Sequence, residues 1–138
     1  MAVKIRKINY FHTVVVDQPG EAYKLLTTLS ELGITLLAFT AVPIGPMRTQ
    51  LSLFPEDAAT LKNMAQSAGI KLDGPHSAIL VMGDEKLSAI NEIHQKLYQA
   101  SVNVYTSSGV MNETGCFGYL IYVRPDELEK AVNVLGVE

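Results

Sequence analysis

Shifting this sequence against itself by about 68 to 70 positions lays one run of elements on another, and that self-similarity constrains the fold most. In the first run, Ile8–Val16 ends in three β-branched valines and predicts a strand, which Asp17-Gln18-Pro19-Gly20 breaks. Ala22, Leu25, Leu26, Leu29 and Leu32 then fall on one helical stripe, stopped at Gly33. Ile34–Ile44 predicts a second strand, Gly45-Pro46 a hairpin turn and Arg48–Phe54 a third strand. Pro55-Glu56-Asp57 opens a second helix, because proline and acidic groups suit a first turn. Its stripe is Ala58, Leu61, Met64, Ala65 and Ala68; Gly69 ends it, and Ile70–Leu72 reads as a short fourth strand.

The order β-α-β-β-α-β then recurs. Ser77–Met82 predicts a strand, Gly83-Asp84-Glu85 a break, and Leu87, Ile90, Ile93, Leu97 and Ala100 a helical stripe. Val102–Met111 and Phe117–Val123 predict strands around the turn Asn112–Gly115. Arg124-Pro125-Asp126-Glu127 mirrors Phe54-Pro55-Glu56-Asp57 and leads into a last stripe of Leu128, Ala131, Val132 and Leu135. Gly136-Val137-Glu138 falls where Gly69-Ile70-Lys71 stood, so the eighth strand is missing; Val3, Ile5 and Ile8 offer an extended apolar segment to fill its place. The expected architecture is α+β: tandem ferredoxin-like units with antiparallel sheets, helices on one face, and domains at 1–74 and 75–138 joined by a short linker, Asp73-Gly74-Pro75.

With 138 residues, 48% hydrophobic and 18% charged, the chain can bury a real core and is not disordered. The strands are apolar on both faces, as in Leu36-Leu37 and Ala38-Phe39, where one-sided sheets alternate more cleanly. Either the partner half or a second chain is therefore expected to cover that face, and a homo-oligomer is expected. A net charge of −3 gives no broad basic field, which argues against nucleic acid. The single Cys116 permits no internal disulfide, no stretch reaches the roughly 20 apolar residues of a membrane helix, and Met1–Lys7 does not read as a signal peptide. The cytoplasm is the expected location.

The most specific signal is Val14-Val15-Val16-Asp17-Gln18-Pro19-Gly20-Glu21, a leucine-rich helix, and then Leu32-Gly33-Ile34. This resembles the opening of an ACT domain, and the match extends over residues 8–73. It weakens in the second half, where Gly83-Asp84-Glu85-Lys86 and Ala100-Ser101-Val102 replace the corresponding motifs. With the repeat, the chain resembles the free-standing tandem ACT proteins. The resemblance implies a non-catalytic regulatory module that binds an amino acid or similar small ligand between halves or chains, with a metabolic enzyme as a further partner.

Physical chemistry makes the same turn plausible as a site. The N–H groups of Gly20, Glu21 and Ala22 at a helix start can hold a carboxylate, and Gly20 lets a ligand approach the backbone. Asp17 can pair with an ammonium group, so the stretch Asp17, Gln18, Pro19, Gly20, Glu21 and Ala22 offers both ends of a zwitterion a partner. An N-cap and a tight turn would use the same residues. In the second half the equivalent loop is Gly83 and Asp84, and Asn103, Thr106, Ser107 and Ser108 form a polar strand start that suits either a ligand or water. The competing functional reading is a structural module that dimerises or holds an enzyme subunit and binds nothing small.

Other signals lead nowhere. Gly115–Tyr122 resembles a strand of RNA-recognition domains, but Gly115 and Cys116 stand where a basic residue and glycine belong, and the paired strand Ala78–Met82 has no aromatic. His12, His76, His94 and Cys116 lack metal-ligand spacing, and no nucleophile, phosphate-loop or dinucleotide motif occurs. No catalysis, cofactor or metal is expected.

Overall fold

A computed structural model describes residues 3–84 and 87–137. The first strand, β1 (Val3–Val16), starts well before the triple valine, because Val3 and Ile5 alternate with Lys4 and Arg6 in the period of a strand. Helix α1 (Glu21–Glu31) follows, then β2 (Leu36–Pro43), β3 (Arg48–Pro55), α2 (Ala58–Ala68) and β4 (Asp73–Gly83). The remainder is α3 (Leu87–Gln99), β5 (Thr106–Met111), β6 (Phe117–Tyr122), a single 3-10 turn at Pro125–Glu127, and α4 (Leu128–Leu135). The fold is α+β with antiparallel strand pairs and helices on one side.

Contacts divide the chain into a continuous unit, Asn9–His76, and a split unit, Met1–Ile8 with Ser77–Glu138. Strands β1 and β4 each give a segment to either unit. The strand order within the continuous unit is β2-β3-β1-β4, and within the split unit β1-β4-β6-β5. In the continuous unit Phe11, Leu53 and Phe39 form one cross-strand row and pack with Leu29 of α1 and Leu61 of α2. In the split unit Ile79, Val81 and Ile121 pack with Ile93 and Leu97 of α3 and Ala131 and Leu135 of α4. Val3 and Ile5 lie half-buried against that second core. The N-terminal segment thus runs beside β4 within the split unit.

Two expectations are corrected. Ile70–Leu72 is not a strand: Gly69 turns left-handed at φ 76°, and Ile70 and Leu72 drop against the continuous unit's core from a loop. Asp73-Gly74-Pro75 is not a linker but the beginning of β4. Gly74, at φ 140°, comes so close to β1 that a Cβ there would sit 3.0 Å from both the Phe11 ring and the Tyr10 carbonyl oxygen. The expected break at Gly83-Asp84-Glu85 is seen through Asp84, Glu85 lying outside the described residues, as do Lys86 and Glu138. The Val102–Met111 strand shortens to Thr106–Met111.

Candidate functional site

The turn after β1 is held from its first residue. The Asp17 N–H donates to the Met47 carbonyl oxygen at 2.8 Å, tying the turn to the β2–β3 connection, and the Gln18 N–H donates to the Val16 carbonyl at 2.9 Å. Gly20 then takes the N-cap of α1 in the left-handed conformation, φ 89° and ψ −8°, without a side-chain cap. The capping role open to Asp17 is therefore not the one it plays. Its exposed carboxylate has no hydrogen-bond or ion-pair partner among the described residues. The Glu21 N–H reaches the Gln18 carbonyl at 3.4 Å, and the Lys24 N–H reaches that of Gly20 at 2.9 Å. The N–H groups of Ala22 and Tyr23 have no partner among the described residues. Asp17, Gln18, Pro19 and Gly20 are exposed, and Glu21 and Ala22 half-buried.

The second group of expected residues lies in the split unit and only partly converges. Asn103, Thr106 and Ser107 line a cavity of about 340 Å³ with His94, Tyr98 and Tyr105. Ser108 lies outside that lining, Gly83 ends β4, and Asp84 is exposed. One wall is fixed by His94, whose Nε2 is 2.7 Å from the Tyr119 hydroxyl. Gly109 faces Tyr119 across the β5–β6 pair, and any Cβ there would stand 2.7 Å from the Tyr119 ring. The glycine makes room for the ring to reach His94. Sequence reading missed this pair, since nothing in a glycine within a strand announces which ring it admits.

A third constellation went unread because it is assembled by strand register. His12 is opposite Ser52 on β3, and its Nδ1 lies 2.9 Å from Ser52 Oγ and 3.1 Å from Gln50 Nε2. The His76 ring stands 5.1 Å from that of His12 by centroids, and its Nε2 is 3.0 Å from Asp73 Oδ2. Tyr10 meets His12 edge-on at 5.1 Å and stacks on Phe54 at 4.8 Å. Burial lowers the pKa of His12, helped by the charge of His76 and opposed by Asp73. Among the described residues no three His, Cys, Asp or Glu side chains are placed to share a metal ion.

The sheet face away from the continuous unit's helical core is divided. Tyr10, Ser52 and Phe54 are buried on it, while Val14 and Val42, flanking Gln50, stay 46% and 48% exposed. No helix among the described residues is long and apolar enough to cross a membrane.

No protein-family model matches the sequence, and no curated protein matches it. Solved structures do match in fold. A protein from Bacteroides thetaiotaomicron aligns at a TM-score of 0.76 with 12% identity, over 97% of this chain and 88% of that one. The regulatory subunit of aspartate kinase from Thermus thermophilus, in its ligand-free form, aligns at 0.63 with 16% identity, over 99% and 96%. Its counterpart from Thermus flavus aligns at 0.55 with 18% identity, over 98% and 94%. At these identities the likeness is one of fold. It spans nearly the whole of each chain, so the match covers both units rather than one widespread motif.

Proposed function

We propose that the protein is a duplicated, ACT-type regulatory module that carries no catalysis and binds an amino acid or a similar small zwitterion at the Asp17–Ala22 turn. The observation that carries this reading is the pairing, within one turn, of an uncommitted carboxylate with uncommitted backbone donors. The N–H groups of Ala22 and Tyr23 suit a carboxylate at the helix start, and Asp17 suits the ammonium group. Full-length likeness to regulatory subunits of aspartate kinase supports regulation of a metabolic enzyme in the cytoplasm. In the second copy the turn equivalent to Asp17–Ala22 is Gly83-Asp84, and the cavity lined by Asn103, Thr106 and Ser107 offers a second place for a small ligand.

Thermal-shift screening against the common amino acids tests the reading, because a ligand present at about 100 times its Kd stabilises the native state by about 2.7 kcal/mol. Asp17→Asn then separates charge pairing from structure. It removes the charge without disturbing a cap, so affinity is expected to fall about tenfold or more with an unchanged melting temperature. Unchanged affinity in that variant removes the zwitterion model.

The half-exposed Val14, Val16 and Val42, with exposed Met47 nearby in sequence, favour a second reading: a structural module that pairs with another copy through this face. Light scattering is expected to give twice the 15.0 kDa chain mass. A dimer that no amino acid stabilises leaves the structural reading alone.

A further inference from the structure

We propose that the outer side of Val3–Lys7 is a docking edge for an extended partner segment in which acidic and apolar residues alternate. Strand β1 pairs with β3 only from Phe11 onward, and its other neighbour is β4. On the side away from β4, Val3–Lys7 therefore meets no strand among the described residues. Beside it runs a groove of about 490 Å³, lined by these five residues and by Leu135 and Gly136 at the end of α4.

An unpaired strand edge presents backbone donors and acceptors at a spacing that another strand matches. Proteins often set lysines on such edges to repel indiscriminate pairing, and Lys4, Arg6 and Lys7 serve that purpose here. Of these three cations, Lys4 and Arg6, two residues apart and so on one face, also make the edge selective. None has an ion-pair partner among the described residues, although the chain as a whole carries a net charge of −3. Alternation places Lys4 and Arg6 on one face and Val3 and Ile5 on the other, against the split unit's core. A strand laid alongside thus meets cations with every second side chain. Its intervening side chains face the wall formed by Leu135 and Gly136, where Gly136 leaves open space beyond its Cα.

Charge complementarity selects an acidic occupant, the backbone edge selects a peptide, and the apolar wall selects the alternation. Among the described residues this chain does not supply such a segment as a strand: its acid–apolar–acid run, Glu127-Leu128-Glu129, lies at the start of α4. The occupant is a partner protein's strand.

Fluorescence anisotropy with a labelled peptide of alternating Glu and Val, titrated with the full chain, tests the edge. Saturable binding is expected, weakened about tenfold or more by Lys4→Glu combined with Arg6→Glu, as befits two charge-assisted contacts. The same peptide N-methylated at alternate residues keeps every charge and side chain but loses the backbone donors, and it is expected not to bind. That arm uses the unaltered chain, so it decides the matter even where the double variant folds poorly. Equal binding of the N-methylated peptide, or displacement by a single-stranded oligonucleotide at equal charge, replaces the strand with an unspecific polyanion and overturns the proposal. No binding at millimolar peptide overturns it too, as does a well-folded double variant with unchanged affinity.

Discussion

The continuous and split units repeat one strand order yet enter their final helices differently, and across corresponding β-strand rows they differ again. Helix α2 begins at Asp57, whose carboxylate accepts from the N–H groups of Ala59 and Thr60 at 3.0 and 3.3 Å. Helix α4 begins through the 3-10 turn Pro125–Glu127 with no side-chain cap. The row His12, Ser52, Thr40 of the continuous unit is polar, whereas Leu80, Leu120, Ser108 of the split unit is two-thirds apolar. The cores, by contrast, both rest on aliphatic rows beneath two helices. Packing between helices and strands tolerates little drift, since each lost methylene costs about 0.8 kcal/mol, while exposed rows can usually change within about 0.5 kcal/mol.

The largest effect that sharpens this contrast is expected from Leu61→Ala. Leu61 is fully buried, and its truncation should cost about 2–5 kcal/mol. Hydrogen exchange should then accelerate in β2 and β3 more than in β6; uniform acceleration would show that the two units open as one body. Smaller and opposite in place is Ile5→Ala, which trims a half-buried side chain from the split unit's core and should cost about 1–3 kcal/mol. Faster exchange in Ser77–Gly83 is its signature, and an unchanged melt would mean that residues 3–8 are not part of that core.

The caps come next. Asp57→Ala is expected to lower stability by about 1 kcal/mol, and Asp126→Ala by less than about 0.5 kcal/mol, read from denaturant midpoints. Equal losses would erase the difference between the two helix starts. Subtlest is the response to acid. Because burial and His76 depress the His12 pKa below 6.5, the stability it contributes is fully present above that value and is lost as pH falls through the lowered pKa. Melting temperature should decline on acidification from pH 6.5, and His12→Gln should flatten that decline; an identical pH profile in the variant would assign the effect elsewhere.

The helices were the most legible part of the sequence. The stripes through Leu25 and Leu29 and the stops at Gly33 and Gly69 are local signals, and local physics decides them; Pro55 and Asp57, expected in the first turn of α2, instead end β3 and cap the helix. The fourth strand was not. Ile70–Leu72 carries strand-forming residues but is used as a core-filling loop, and Gly74-Pro75 has the composition of a break yet lies inside β4. Contacts between distant parts of the chain decide both: Ile70 and Leu72 pack on the core around Phe11, and Gly74 approaches Phe11 and Tyr10. At the candidate site the Asp17–Gly20 turn was visible in the sequence, but not that Gly20 rather than the aspartate takes the cap. His12 and His76 were dismissed for lacking ligand spacing, because only strand register brings their rings together.

The split unit has a consequence for the order in which the protein comes into being. A chain emerging from the ribosome releases its amino end first, and domains tend to fold as soon as their residues are available. The segment before Asn9 emerges ahead of the continuous unit, yet its packing partners begin at Ser77. The stretch from Asn9 to His76 can close on itself during synthesis while that leading strand waits, its apolar side uncovered, until the last helix is made.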